Sequence, residues 1–136
     1  MVKLIPGRKG SGKTKLLIEA IRGAKDESKG NVVAIQLGNS LNSHIKHDVR
    51  LINIEDYEIA GCHSMRGFIT GIMASDYDCT HIFVDGILRI VRNDRDDMDK
   101  VGGMLDKIHK ISGNTVVTLT FSTDIGELTE SIKRYI

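Results

Sequence analysis

Near the amino end, the residues Gly7-Arg8-Lys9-Gly10-Ser11-Gly12-Lys13-Thr14 fall in the spacing GxxxxGK[ST], between the apolar run Val2 to Ile5 and a stretch of helical periodicity. Glycines at these intervals let the backbone turn so tightly that successive N–H groups face inward, where they can hold phosphate oxygens. The positive end of the helix that follows adds to the attraction. In such a loop Lys13 reaches the β- and γ-phosphates, and the Thr14 hydroxyl is a small oxygen donor suited to the Mg²⁺ that bridges them. Average residue usage produces this pattern by chance in about one random chain of this length in two hundred, so every residue from Gly7 to Thr14 is a candidate nucleotide contact.

Mg²⁺ bound with a triphosphate needs a second anchor, commonly an acid at the carboxyl end of a neighbouring apolar strand. The run His81-Ile82-Phe83-Val84-Asp85 supplies one, and Asp85 is the candidate metal residue beside Thr14. Because Mg²⁺ keeps much of its hydration shell, Asp85 is expected to act mostly through water.

The elements that must position these residues follow from the hydrophobic pattern. Short β-branched runs at Val2–Ile5, Val32–Leu37, Val49–Ile54, Ile82–Asp85 and Val116–Phe121 alternate with longer amphipathic stretches. That alternation predicts an α/β fold of three layers, a parallel sheet of about five strands with helices on both faces. Leu17, Ile18, Ile21 and Ala24 make one face of a helix from Lys13 to about Lys25, and Met65, Phe68, Ile69, Ile72 and Met73 repeat the spacing between Ser64 and Ala74. There Gly67 and Gly71 weaken the helix or admit a close neighbour. The acids Asp94, Asp96, Asp97 and Asp99 precede Val101, Leu105, Ile108 and Ile111, as a cap and first turn would. A terminal amphipathic helix is expected to carry Leu128, Ile132 and Tyr135, and Pro6 to stop the first strand. The polar stretch Gly38 to Asp48 reads as a loop at a strand end, where function collects.

The totals bound the partners. A length of 136 residues with 40% hydrophobic and 27% charged content fits one domain, residues 1–136, with one core. A net charge of +1 provides no global field to recruit DNA or a membrane surface, and no apolar stretch is long enough to span a bilayer. No charged and apolar leader precedes the first strand, and Cys62 and Cys79 form no CxxC pair. A reducing, cytoplasmic setting is the expectation. Aromatic content of 4% leaves no evident base-stacking platform, so ATP and GTP are equally open as the nucleotide.

GRKGSGKT as a Walker A segment, HIFVD as a Walker B segment and the flanking strands together resemble the P-loop NTPases. FVDGILRIVR resembles the strand and following segment of a minimal RecA-like core, and type II thymidine kinases share a similar order. The resemblance implies that one strand, VVTLTF, lies between the two Walker strands. It further implies that Ser122, with Thr120, lies near the γ-phosphate as a sensor-like position. Relatives place a glutamate beside the Walker B aspartate or at the end of the second strand, and here those positions hold Gly86 and Gln36. Gln36 could orient water without removing a proton, and Glu55 or Asp56 could supply a carboxylate. Lys13, Gln36 and Glu55 are therefore the candidate catalytic residues. Arg89, Arg92 and Arg95 share one face if their segment is helical, which suits a solvated surface or an arginine finger offered to a neighbour.

The expected function is ATP binding with weak or conditional Mg²⁺-dependent hydrolysis, as a switch or as a subunit of a larger assembly with a second copy or another protein. A nucleoside-type small-molecule kinase is the alternative, with the polar loop and Glu55 to His63 as acceptor pocket, although no insertion is long enough for a lid. A degenerate loop serving protein or nucleic-acid interaction is the third reading.

Overall fold

The computed structural model describes residues 1–136 and is built on five parallel strands in one sheet. In chain order these are β1 (Val2–Gly7), β2 (Asn31–Gln36), β3 (Arg50–Asn53), β4 (Cys79–Val84) and β5 (Val116–Ser122). The helices are α1 (Lys13–Glu27), α2 (Cys62–Ser75), α3 (Ile87–Ile90), α4 (Met98–Ile111) and α5 (Glu130–Lys133). The spatial order is β1-β5-β4-β2-β3, so β5 lies between the strand that precedes the glycine loop and the strand that ends at Asp85.

Period-2 alternation divides the strands between two cores. Val33 and Ile35 of β2, Ile82 and Val84 of β4, and Val117, Leu119 and Phe121 of β5 join α2, α3, α4 and α5 on one face. Val32 and Ala34 of β2 and Phe83 of β4 meet Leu17, Ile18, Ile21 and Ala24 of α1 on the other. Helices thus cover both faces, α1 alone on one of them. Both faces of β2 are apolar because both are buried, as in central strands of parallel sheets. Ile35 is fully buried, and its burial contributes about 1.5–3 kcal/mol. In β5 the same alternation turns Thr118 and Thr120 toward the α1 face, where both are buried.

Several local expectations change. Pro6 lies inside β1, which runs on to Gly7. The reason is parity on an edge strand. The N–H groups of Val2 and Leu4 point outward, to His109 Nδ1 at 3.0 Å and to the Tyr135 carbonyl at 2.8 Å, so position 6 faces the open edge, where no donor is needed. The terminal helix shrinks to α5 after a 3₁₀ turn at Ile125–Glu127, because the Leu4 to Tyr135 bond draws the tail along β1. Leu128, Ile132 and Tyr135 are buried nonetheless. In α2, Gly67 and Gly71 face open space, so neither marks a close contact.

The acid run splits its work between two helices. Asp97 caps α4 by accepting from the Lys100 N–H at 3.1 Å. Asp94 instead accepts from the Cys62 N–H at the start of α2 at 2.8 Å and from Lys100 Nζ at 3.1 Å, joining α2 to α4. Helix α3 ends at Ile90, so Arg92 and Arg95 lie in turns and share no helical face with Arg89. No helix is long and apolar enough to cross a membrane.

Candidate functional site

The loop from Arg8 to Gly12 is exposed and leads into the first turn of α1, where Lys13 is buried and Thr14 half-buried. Gly10 and Gly12 have φ of +83° and +90°, in the left-handed region that glycine enters without steric cost. Gly12 is the N-cap of α1, and the first turn of that helix holds no acid. Its amino-terminal N–H groups and dipole are therefore free of a built-in carboxylate, which is the condition for receiving an outside anion. Inside the loop the Ser11 N–H bonds the Arg8 carbonyl at 3.0 Å, and Lys13 Nζ donates to the same carbonyl at 2.8 Å. Burial lowers the Lys13 pKa from the ordinary lysine value, and the nearby Asp85 charge works in the opposite direction.

Asp85 directly follows β4, is only 4% exposed and is fixed by its own N–H, which bonds the Ile35 carbonyl at 2.9 Å. Three hydroxyls converge on its carboxylate. Thr14 Oγ1 lies 3.3 and 3.4 Å from the two oxygens, Ser40 Oγ donates to Oδ2 at 2.9 Å, and Thr120 Oγ1 donates to Oδ1 at 2.9 Å. Thr120 Oγ1 also accepts from the Gly86 N–H at 2.7 Å, so one side chain of β5 holds both the acid and the turn behind it. Thus α1, β2's loop, β4 and β5 each contribute to one polar centre at the carboxyl ends of the strands, where open α/β sheets bind ligands.

Of the other candidates, Ser122 ends β5 in register with Gly7 and lines a cleft of about 420 Å³ with Arg8, Lys9 and Arg95. Arg8 pairs with Asp124, Nε to Oδ2 at 2.9 Å, tying the glycine loop to the segment after β5. Gln36 is 2% exposed and both ends of its amide are engaged: Oε1 accepts from the Leu41 N–H at 2.8 Å and Nε2 donates to Asn42 Oδ1 at 2.6 Å. It holds the following loop. Glu55 sits exposed in the 3₁₀ turn after β3, two strand positions beyond β4, or about 10 Å across the sheet. No hydrogen bond or ion pair links it to Asp85 or the glycine loop.

The donor set around Asp85 consists of one carboxylate and hydroxyl oxygens, without a thiol or imidazole. Thr14 and Asp85 could hold a hard divalent cation that keeps several waters, such as Mg²⁺, and the set does not suit zinc. Ser40 carries no motif. Its polar loop is visible in the sequence, but its place beside Asp85 depends on β2 lying next to β4, which only the sheet order gives. No family model matches this chain, and no curated protein matches it.

Proposed function

We propose that this chain is a P-loop nucleotide-binding protein that holds a nucleoside triphosphate, ATP in the first instance, together with Mg²⁺. The observation that carries the reading is the approach of Thr14 Oγ1 to Asp85 at 3.3 and 3.4 Å. Two residues 71 positions apart in sequence bring one hydroxyl and one carboxylate together, the pair that a bridging cation would use. Peptide N–H groups from Arg8 to Thr14 would bind the phosphates, that of Ser11 on leaving the Arg8 carbonyl. Lys13 would exchange its bond to the Arg8 carbonyl for a phosphate oxygen, and Thr14 and Asp85 would hold the metal. Mg²⁺, when bound, supplies charge neutralisation to the phosphates.

Hydrolysis on this reading is slow. Gly86 follows Asp85 where a general base would stand, the Gln36 amide is engaged by Leu41 and Asn42, and Glu55 is remote. A partner protein or a second copy would have to complete the water-activating side, and with its slow rate the chain alone acts as a switch. Two buried free thiols, Cys62 and Cys79, suit a reducing compartment such as the cytoplasm.

The test is a calorimetric panel of ATP, GTP and ADP with and without Mg²⁺, on the natural chain and Lys13→Ala. Loss of the ammonium removes charge-assisted hydrogen bonds of about 1.5–3 kcal/mol, so triphosphate affinity should fall about 10- to 150-fold. Equal binding by the two proteins, or no binding by the natural chain, would overturn the proposal.

A further inference from the structure

The loop after β2 reaches Asp85 on the face that α1 covers, and nothing in the two motifs accounts for it. Ser40 Oγ donates to Asp85 Oδ2 at 2.9 Å, a shorter contact than either made by Thr14. The loop is not placed there by chance packing. Gln36, at the end of β2 and 2% exposed, accepts from the Leu41 N–H at 2.8 Å and donates to Asn42 Oδ1 at 2.6 Å, clamping the residues directly after Ser40. Leu41 is fully buried in the core that α1 forms with Val32, Ala34 and Phe83, which anchors the loop a second time. A buried amide with both ends used on a loop backbone and an adjacent side chain is a costly arrangement to leave half-made, so it fixes one conformation.

We propose that Ser40, held by Gln36 and by the burial of Leu41, is a second hydroxyl of the cation-binding centre and makes the Gly38–Lys46 loop the element that responds to the metal–nucleotide complex. This rests on the nucleotide reading above. Asp85 Oδ2 is the oxygen that Ser40 occupies, while Thr120 holds Oδ1 from the sheet side. Beside Asp85 Oδ2 the Ser40 oxygen would serve a hydrated cation, and the bond that ties the loop to β4 would change as the hydroxyl turned to it. The far end of the same loop touches α1, where the His44 carbonyl accepts from Arg22 at 3.3 Å. A change at Asp85 is thereby passed to an exposed surface on the α1 side. Gln36 is a positioning residue in this scheme and Ser40 would belong to the metal's shell.

The experiment compares the natural chain, Ser40→Ala and Ser40→Thr, with ATP titrated with and without Mg²⁺ and amide hydrogen exchange followed across residues 38–46. In Ser40→Ala the gain that Mg²⁺ brings to ATP binding, the ratio of the affinities with and without the metal, should shrink about tenfold, the scale of one hydrogen bond to a charged group. Mg²⁺ with ATP should alter exchange of the Leu41 to Ile45 amides in the natural chain and leave it unaltered in Ser40→Ala. Ser40→Thr keeps the hydroxyl and should restore both. A Mg²⁺ gain and exchange response identical in Ser40→Ala and the natural chain would overturn this inference alone. A natural chain that binds no triphosphate would overturn the nucleotide reading and this inference with it.

Discussion

Thr120 offers a sharp probe of whether the Asp85 centre is built as described, because its hydroxyl makes two buried hydrogen bonds at once. It donates to Asp85 Oδ1 at 2.9 Å and accepts from the Gly86 N–H at 2.7 Å, with the residue 1% exposed. Thr120→Val keeps the shape and removes both. The lost bond to a carboxylate is worth about 1.5–3 kcal/mol, and a buried N–H without a partner costs about 1–3 kcal/mol. Partial relaxation of the Gly86 turn offsets some of this, so a net loss of about 3 kcal/mol is expected. For 136 residues, an unfolding entropy of about 2.1 cal/mol/K per residue converts that loss to a fall in Tm of about 10 °C. Thr120→Ser is the control: it retains both bonds and gives up one methyl group, about 1 kcal/mol. Urea and thermal unfolding followed by circular dichroism measure both variants. A Thr120→Val protein within about 0.5 kcal/mol of the natural chain would refute the bridging role of this hydroxyl.

Two further outcomes test other parts of the fold. Asp97→Ala removes the α4 cap that accepts from the Lys100 N–H and should cost about 1 kcal/mol by urea midpoint, whereas an unchanged midpoint would deny the cap. The Cys62 thiol is pushed from 9.0 up to about 11, first by burial and then by the Asp94 charge. Its folded form thus holds the proton more tightly than the unfolded form, so the stability it contributes is complete below pH 9.0 and is lost as pH rises toward about 11. The natural chain should therefore lose stability more steeply than Cys62→Ala across that window, and parallel profiles would contradict the burial of this thiol.

Much of this architecture could be read from residue patterns because burial on a sheet imposes its period on the sequence. VVAIQL and HIFV are apolar except at Gln36 and His81 where a strand is covered on both faces, and Leu17, Ile18, Ile21 and Ala24 repeat at helical spacing where one face is covered. The glycine loop was equally legible, since left-handed φ values at Gly10 and Gly12 restrict residue type at fixed positions. What escaped were features set by neighbours distant in sequence. Pro6 sits within β1 because the strand is an edge, and the tail folds against that edge rather than extending α5. Ser40 meets Asp85 only because β2 flanks β4, whereas the place of β5 between the two motif strands, with Thr120 on it, was what the resemblance implied. Gln36 shows the same limit from the other side: its position at a strand end invites a catalytic role, while its actual partners, Leu41 and Asn42, are local loop groups.

The claim on which the functional account stands is that the glycine loop and Asp85 form a single polyphosphate and metal site. Titration of ATP into the natural chain and Asp85→Asn, each with and without Mg²⁺, addresses it directly. Asparagine preserves the volume and one carbonyl acceptor, enough for Thr120 or Ser40 but not both, while removing the charge. Mg²⁺ should tighten ATP binding in the natural chain, while Asp85→Asn, freed of a repelling charge, should bind ATP without Mg²⁺ at least as tightly and lose most of the Mg²⁺ gain. ATP binding indifferent to Mg²⁺ in the natural chain, or the same gain in both proteins, would contradict that claim.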